Sequence, residues 1–242
     1  LYHFVWNNVC DWYIELAKPV LLGDDAAAKT ETQAVLGWVL AQSLHLIHPM
    51  APFVSEALWR DLFGAPGGML IGADWPTPDP ETLIDATASA EIEWLIRLVT
   101  GIRAARNEVN VPAGARLHLE VQGAAEKTTT RLARHSDALR RLARLETIEV
   151  ATALPTKSVQ VIVDEASYAM PVGDVIDLDA ERQRLGREVT KLEGEAGKLK
   201  AKLGNAAFLE RAPEAVVEEQ RERLADAEAT AARLAAALSR IA

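Results

Sequence analysis

Two histidines near the end of a predicted helix come closest to a chemical motif. His45 and His48 are separated by Leu46 and Ile47, and a similar pair forms a nucleotide-binding signature when a glycine precedes the second histidine (H-x-G-H). The glycine is needed because the base must approach the backbone closely. Ile47 occupies that position, so we interpret both histidines as ordinary residues at the end of a helix.

Other reactive groups are sparse. The glycine-rich stretch 64–68 lacks the lysine and the preceding strand of a phosphate-binding loop. Asp24, Asp25 and Asp74 do not cluster as a metal site or a carboxylate pair would require. Cys10 is the only cysteine, which excludes an internal disulfide and a cysteine-based zinc site and fits a reducing cytoplasm. The sequence therefore predicts no catalytic residue, no metal site and no cofactor in this chain.

Cations are more informative, because in the last quarter of the chain they recur at helical spacing. Five of them share one outward face of the first helix of a predicted hairpin: Arg184, Arg187, Lys191, Lys198 and Lys202. On the second helix, Arg221 and Arg223 are expected level with Lys198, where they would extend this face across the hairpin. Such a face can follow the phosphates of RNA. A solvated face with ion pairs between the helices gives the same pattern, so both interpretations stay open.

Two further groups of arginines lie earlier in the chain. A predicted fourth helix carries Arg97, Arg103 and Arg106, which are candidates for RNA contact if the helical bundle binds RNA. Five more arginines lie close together on a later predicted helix: Arg131, Arg134, Arg140, Arg141 and Arg144. Arginines in such positions can contact RNA, or can cover apolar surface while staying hydrated.

The hairpin that positions the first group is predicted from two heptad runs. Seam residues, all apolar except Gln220, follow one another at alternating intervals of three and four over 185–203 and again over 217–241, as two packed helices require. Gly204 and Asn205 end the first helix, and Pro213 suits the first turn of the second. So short a link forces the helices antiparallel, and an antiparallel coiled-coil arm is expected.

The rest of the chain is predicted to form a helical bundle and a small α/β module. Amphipathic helices are expected near 1–22, 25–48, 52–63 and 87–108. Alternating residues then predict four short strands, in an antiparallel sheet with one helix from 125 to 145 packed on it. The fold class is therefore mainly α, and the predicted domains are 1–112, 113–176 and 177–242.

Composition limits the possible functions. The chain has 242 residues and a net charge of −9, which argues against a protein that coats nucleic acid. Local basic faces can still act, because charges are felt within about 10 Å at physiological salt. No run of about 18 apolar residues occurs, so no membrane span is predicted. The chain begins without Met inside a helical pattern, and we expect it to be part of a longer protein.

Several segments resemble one known family, the valyl-tRNA synthetases. Residues 5–19, which read VWNNVCDWYIELAKP, and residues 48–59, which read HPMAPFVSEALW, resemble its anticodon-binding helical domain. Residues 107–112, with Arg106 before them, resemble its R-x-x-x-N-V-P turn. Three further stretches resemble the C-terminal hairpin of this family: 178–185, 203–208 and 212–214. The resemblance covers nearly the whole chain.

The resemblance implies a cytoplasmic, monomeric class I aminoacyl-tRNA synthetase that joins valine to tRNA-Val using ATP with Mg. In that family the helical domain reads the anticodon and stem, and the hairpin contacts the outer corner of the tRNA. The adenylate site and the lysine loop of the K-M-S-K-S type are absent from this sequence, so this chain alone is expected to be inactive. Neither DNA nor a membrane is expected as a partner.

A different class of function would be a helical scaffold whose arm binds a protein. That function requires a second apolar stripe on the arm, outside the seam between its helices. The outward positions hold Arg, Lys, Gly and Glu instead. This pattern favours RNA as the partner.

Overall fold

A computed structural model describes residues 1–64, 68–205, 208 and 213–241. The chain is mainly α, as the sequence predicts, and divides into two compact units, Leu1–Ala90 and Glu91–Ala242. Parts of the glycine-rich stretch (65–67) and of the resemblance at the hairpin tip (206, 207 and 212) lie outside the described residues. No helix in the described part of the chain is long and apolar enough to cross a membrane.

The first unit is built from helices that begin and end at recognisable signals. Asp25 accepts hydrogen bonds from the backbone N–H groups of Ala27 and Ala28, both at 3.0 Å, and so caps the longest helix. Pro52 occupies the first turn of the next one. The elements are a π-helical segment Phe4–Tyr13, α1 Ile14–Leu22, α2 Ala26–Ile47, α3 Pro52–Phe63, a 3-10 turn Leu70–Gly72 and α4 Pro80–Leu83.

Both histidines of the H-x-x-H stretch have packing roles in this unit. Leu44, Trp59 and Leu70 form a buried cluster, and the ring of His45 meets the ring of Trp59 edge-on at 4.8 Å. His48 Nδ1 lies 2.8 Å from the buried hydroxyl of Ser55. These contacts support their interpretation as structural helix-end residues.

The second unit contains a four-stranded mixed sheet. The strands are β1 Leu117–Gln122, β2 Leu145–Val150, β3 Ser158–Val163 and β4 Ala166–Pro171, in the order β2-β1-β4-β3. β1 pairs with β2 in parallel, and the other two pairings are antiparallel. The prediction of an antiparallel sheet is therefore wrong at β1 and β2. The two helices between them, α6 Glu126–Arg134 and α7 Ser136–Leu142, return the chain to the edge where β1 began.

The fourth predicted helix packs on this sheet. It is α5, Ala86–Glu108, and its side chains from Trp94 to Ile102 include five fully buried apolar ones. Gly101 lies so close to β3 that a Cβ atom there would stand 2.8 Å from Val161 Cγ1. Residues 91–108 thus belong to the second unit, whereas the sequence placed them in the bundle and set the boundary at 112. Periodicity identifies a buried face but not its partner.

The arm at the end of the chain is an antiparallel helical hairpin. It consists of α8 Leu178–Leu203 and α9 Glu214–Arg240. Every residue of the predicted seam is buried or half-buried: Leu185, Val189, Leu192, Ala196, Leu199, Leu203, Val217, Gln220, Leu224, Ala227, Ala231, Leu234, Leu238 and Ile241. Asp177 caps α8 by accepting from the N–H groups of Asp179 and Ala180. The coiled-coil prediction is confirmed.

Gly194 weakens the middle of α8, and its replacement by alanine is expected to stabilise the arm by about 1 kcal/mol. The reason is that glycine has high backbone entropy when unfolded, while a Cβ at this position meets nothing within 4 Å. Amide hydrogen exchange within 185–203 should slow by about fivefold. The control is Gly101→Ala, which should destabilise the second unit because of the contact with Val161. Faster exchange in α8 of Gly194→Ala would contradict the expectation.

Candidate nucleic-acid interface

Three of the seven candidate cations on the arm are free for an external ligand. The side chains of Lys191 and Lys198 are exposed, and neither forms a hydrogen bond or ion pair with any described residue. Arg187 is also exposed, and its one acceptor among the described residues is the carbonyl of Gln183 in its own helix, at 3.2 Å. Lys191 and Lys198 are seven residues apart and therefore lie on one face of α8. We call these three residues the basic face of the arm.

The other four candidates have partners within the arm. Arg184 pairs with Glu181 and Glu188, each at 2.6 Å. Lys202 donates to Gln220 at 3.1 Å and lies over the ring of Phe208. Arg221 pairs with Glu218 at 3.3 Å, and Arg223 with Glu195 on the facing helix at 3.0 Å. Both anticipated arrangements thus occur: three cations have no side-chain partner among the described residues, and four are paired, of which Lys202 and Arg223 contact the facing helix.

The base of the arm is fixed to the end of α5. Glu181 is buried and accepts from the side-chain amide of Asn110 at 3.3 Å, while Arg184 donates to the carbonyl of Glu108, also at 3.3 Å. The hydrogen bond from Arg184 to Glu181 raises the pKa of the Arg184 guanidinium. Asn110 has a φ of 51°, in the left-handed region where Asn is tolerated. This anchor explains the turn motif structurally.

The three candidates on α5 hold the second unit together. Arg97 makes two hydrogen bonds to Asp164, at 2.9 and 3.1 Å, and Arg103 donates to the carbonyl of Leu142 at 2.8 Å. Arg106 is only 6% exposed and donates to backbone carbonyls, one of them that of Ala115 at 2.7 Å. Burial lowers the pKa of Arg106, and the charge of Arg144 lowers it further. RNA contact by these residues stays a prediction, which the burial of Arg106 argues against.

The carboxylate of Glu91 pairs with two arginines of the α6–α7 group, Arg131 and Arg134. It accepts from Arg134 at 2.8 Å and from His135 at 2.7 Å, and lies 4.0 Å from the buried Arg131. Arg131 also stacks over the ring of Trp94 at 5.5 Å. Burial acts to raise the pKa of Glu91, but the hydrogen bonds from His135 and Arg134 bring it below its ordinary value. This cluster joins α5 to α6 and is structural.

The remaining three arginines of that group do not share this role. Arg140, Arg141 and Arg144 are exposed and surround a surface cavity together with Arg116. Sequence reasoning missed Arg116, because it precedes β1 and only the parallel pairing with β2 brings it near the other three. Within the described ranges, no group of three or more His, Cys, Asp or Glu side chains is placed to hold a metal ion.

Comparison with known families gives two matches. Residues 1–121 match the family model described as the anticodon-binding domain of tRNA ligase. Residues 177–242 match the one described as the valyl tRNA synthetase tRNA binding arm. The second match covers the coiled-coil hairpin.

Similar curated proteins carry the name valine–tRNA ligase. That of Caulobacter vibrioides is 52% identical over 245 residues, taking in 100% of this chain and 27% of the relative. That of Rhizorhabdus wittichii is 47% identical over 242 residues, with 100% and 27% covered. That of Mesorhizobium japonicum is 44% identical over 243 residues, with 99% and 26% covered. The chain thus spans about a quarter of the length of these relatives.

Proposed function

Because the chain belongs to the family of anticodon-binding domains of tRNA ligases, we propose that it is the tRNA-binding part of a valine–tRNA ligase. The substrate of the whole enzyme is then tRNA-Val, to which it joins valine at the expense of ATP with Mg. The first unit binds the anticodon side of the tRNA, and the arm binds another part of the tRNA backbone. Valine activation belongs to the three-quarters of the ligase outside this chain.

The observation that carries the proposal is the basic face of the arm. Exposed lysines without partners are the groups that neutralise phosphates and release counterions. The α8 helix has 26 residues, so it forms a rod of about 40 Å that can follow several phosphates. A coiled-coil surface offers no stacking platform or groove, so these contacts add affinity without choosing among sequences.

The arm has little apolar surface for a protein partner. Among its described residues, Val216 is the one large apolar side chain that is exposed, at 36%. Protein interfaces usually have a buried apolar or aromatic centre. The alternative of a protein-binding arm is therefore disfavoured relative to RNA.

The first unit has the opposite character, because it exposes many large apolar side chains. Phe53 is 91% exposed, Leu22 78% and Tyr2 71%. Exposed apolar surface on this scale usually marks a surface where another protein segment or a ligand binds. Since the relatives are about four times as long as this chain, we assign that binding role to the rest of the ligase.

Lys191→Ala with Lys198→Ala is expected to weaken tRNA binding about tenfold at 0.15 M salt, because two phosphate contacts are lost. The slope of log K against log salt should flatten by about 1.4–1.8 units for the same reason. The measurement is fluorescence binding of tRNA-Val and of a non-cognate tRNA over a salt series. Both RNAs should lose affinity alike, because phosphates carry no sequence information.

The matched control is Lys200→Ala with Glu228→Ala. These side chains form an ion pair at 2.6 Å, so the control also places two alanines in the arm but keeps its net charge. Its affinity and salt slope should stay close to those of the unsubstituted chain. An unchanged slope in the lysine double variant would identify the basic face as merely solvated and would remove the support for this proposal.

A further inference from the structure

A second group of unpaired cations lies beside the four-stranded sheet of the second unit. Its residues belong to other elements than the arm's basic face and are distant from it in sequence. Four arginines and one carboxylate line a surface cavity of about 450 Å³. Arg116 precedes β1, Arg140 and Arg141 lie in the last turn of α7, and Arg144 lies in the turn before β2. All four arginine side chains are exposed.

These arginines lack the partners that engage their neighbours. Within the described ranges, none of the four forms a side-chain hydrogen bond or an ion pair, whereas Arg131 and Arg134 share Glu91. Of the described residues that line the cavity, Asp137 alone carries a carboxylate. Four guanidinium groups facing one carboxylate leave a strong positive field, which draws anions to the cavity.

Backbone contacts beside the cavity hold this charge in place. Arg144 has a φ of 54°, in the left-handed region that favours glycine. Its carbonyl oxygen accepts from the N–H of Leu117 at 3.2 Å and from Arg106 at 3.5 Å. Arg106 is itself a buried cation, and among the described residues its acceptors are carbonyl oxygens rather than carboxylates. The turn is fixed from two sides, as expected where strain is retained at a binding site.

We propose that this arginine cavity binds phosphate groups of an RNA backbone, giving the chain a second anchoring point on tRNA. The proposal rests on the proposed function for the identity of the RNA. Guanidinium groups bind phosphate oxygens in a bidentate manner, and four of them exceed what one isolated phosphate needs. A run of phosphates along one strand matches this arrangement. Like the arm, the cavity contacts the backbone and does not select a sequence.

The first test is Arg140→Ala with Arg141→Ala, measured on the full chain by fluorescence binding of tRNA-Val. Affinity should fall about tenfold at 0.15 M salt, and the salt slope should flatten by about 1.4–1.8 units. The matched control is Lys127→Ala with Lys157→Ala, two exposed cations of the same unit that do not line the cavity. The control should change affinity much less. Equal losses in the two variants would overturn the proposal.

The second test is Asp137→Asn, which removes the one negative charge in the lining. Binding of tRNA should strengthen by about two- to fivefold, a gain that misfolding cannot produce. Inorganic tripolyphosphate serves as a small-anion probe in the same assay. If it binds through Arg140 and Arg141 while tRNA affinity is insensitive to them, the cavity is a small-anion site and the proposal is wrong.

The two proposals fail in distinguishable ways. If the unsubstituted chain binds no tRNA, the proposed function fails and the cavity assignment falls with it. If the Lys191/Lys198 double variant weakens binding and the Arg140/Arg141 double variant does not, only the cavity assignment is overturned. When both surfaces bind the same RNA, their losses should add, because no residue is shared between them.

Discussion

Replacing Glu91 with alanine is expected to destabilise the second unit by about 3 kcal/mol, because a buried cation then loses its carboxylate. The side chain of Arg131 is only 7% exposed, and Arg134 and His135 meet the same carboxylate. Amides of α5 near Trp94 should exchange with solvent about 100-fold faster if they exchange through unfolding of this unit. Hydrogen exchange resolves that helix directly, whereas tryptophan fluorescence would be dominated by the five tryptophans of the first unit.

Glu93→Ala is the matched control for this prediction. Glu93 is exposed on the same helix and forms no ion pair with a described residue, so its loss should leave exchange nearly unchanged. Since the pKa of Glu91 is lowered in the folded chain, its contribution is complete above its unfolded value near 4.5 and is lost as the pH falls through the folded value. Glu91→Gln should reduce this acid sensitivity. Equal exchange in the alanine variants at 91 and 93 would contradict the structural role.

The arm could be predicted residue by residue because its packing is encoded locally. A heptad run places its apolar residues on one face, and the short link after Gly204 leaves the next helix as the only available partner. Every predicted seam residue is indeed buried or half-buried. The heptad repeat and the short link are both visible in the local sequence, and they were sufficient to predict this part of the fold.

The second unit could not be predicted to the same depth, because its packing joins residues far apart in sequence. The residues of α5 show a helical pattern, but nothing local indicates that Gly101 meets Val161 across 60 residues. The parallel pairing of β1 with β2 likewise depends on where α6 and α7 return the chain. Expecting an antiparallel pairing of β1 with β2 was an error of partner choice, and the packing of α5 on the sheet is a contact that its own pattern does not identify.

The candidate sites show the same division. The spacing of Lys191 and Lys198 predicts a shared face, and their exposure follows from the heptad. Which arginines are already engaged depends on distant carboxylates, such as Asp164 for Arg97. The arginine cavity needs a fold in which Arg116 meets residues of α7. Charge counting alone therefore does not show which arginines of α5 already have partners, and it misses the cavity.

The anchor at the base of the arm has a consequence for RNA binding that differs from the effect of removing cations. Glu181 is 9% exposed and connects α8 to the turn after α5 through Asn110 and Arg184. An arm held at a fixed angle presents its basic face without further loss of conformational entropy. The anchor thus acts by preorganisation, and its effect should appear in affinity rather than in the number of phosphate contacts.

Glu181→Ala is accordingly expected to weaken tRNA binding about tenfold while leaving the salt slope nearly unchanged, because no cation is removed. Arg184 stays paired with Glu188 at 2.6 Å, which limits its recruitment as a new phosphate contact. The first turns of α8 should exchange amide hydrogens about 30-fold faster, since breaking the buried pair costs about 2 kcal/mol locally. The control is Glu193→Ala, at an exposed position on the same helix, which should change neither the tRNA affinity nor the exchange rate of these amides. If the variant at 181 instead flattened the salt slope as the lysine double variant does, the base of the arm would itself contact phosphates, and an anchoring role alone would not explain its conformation.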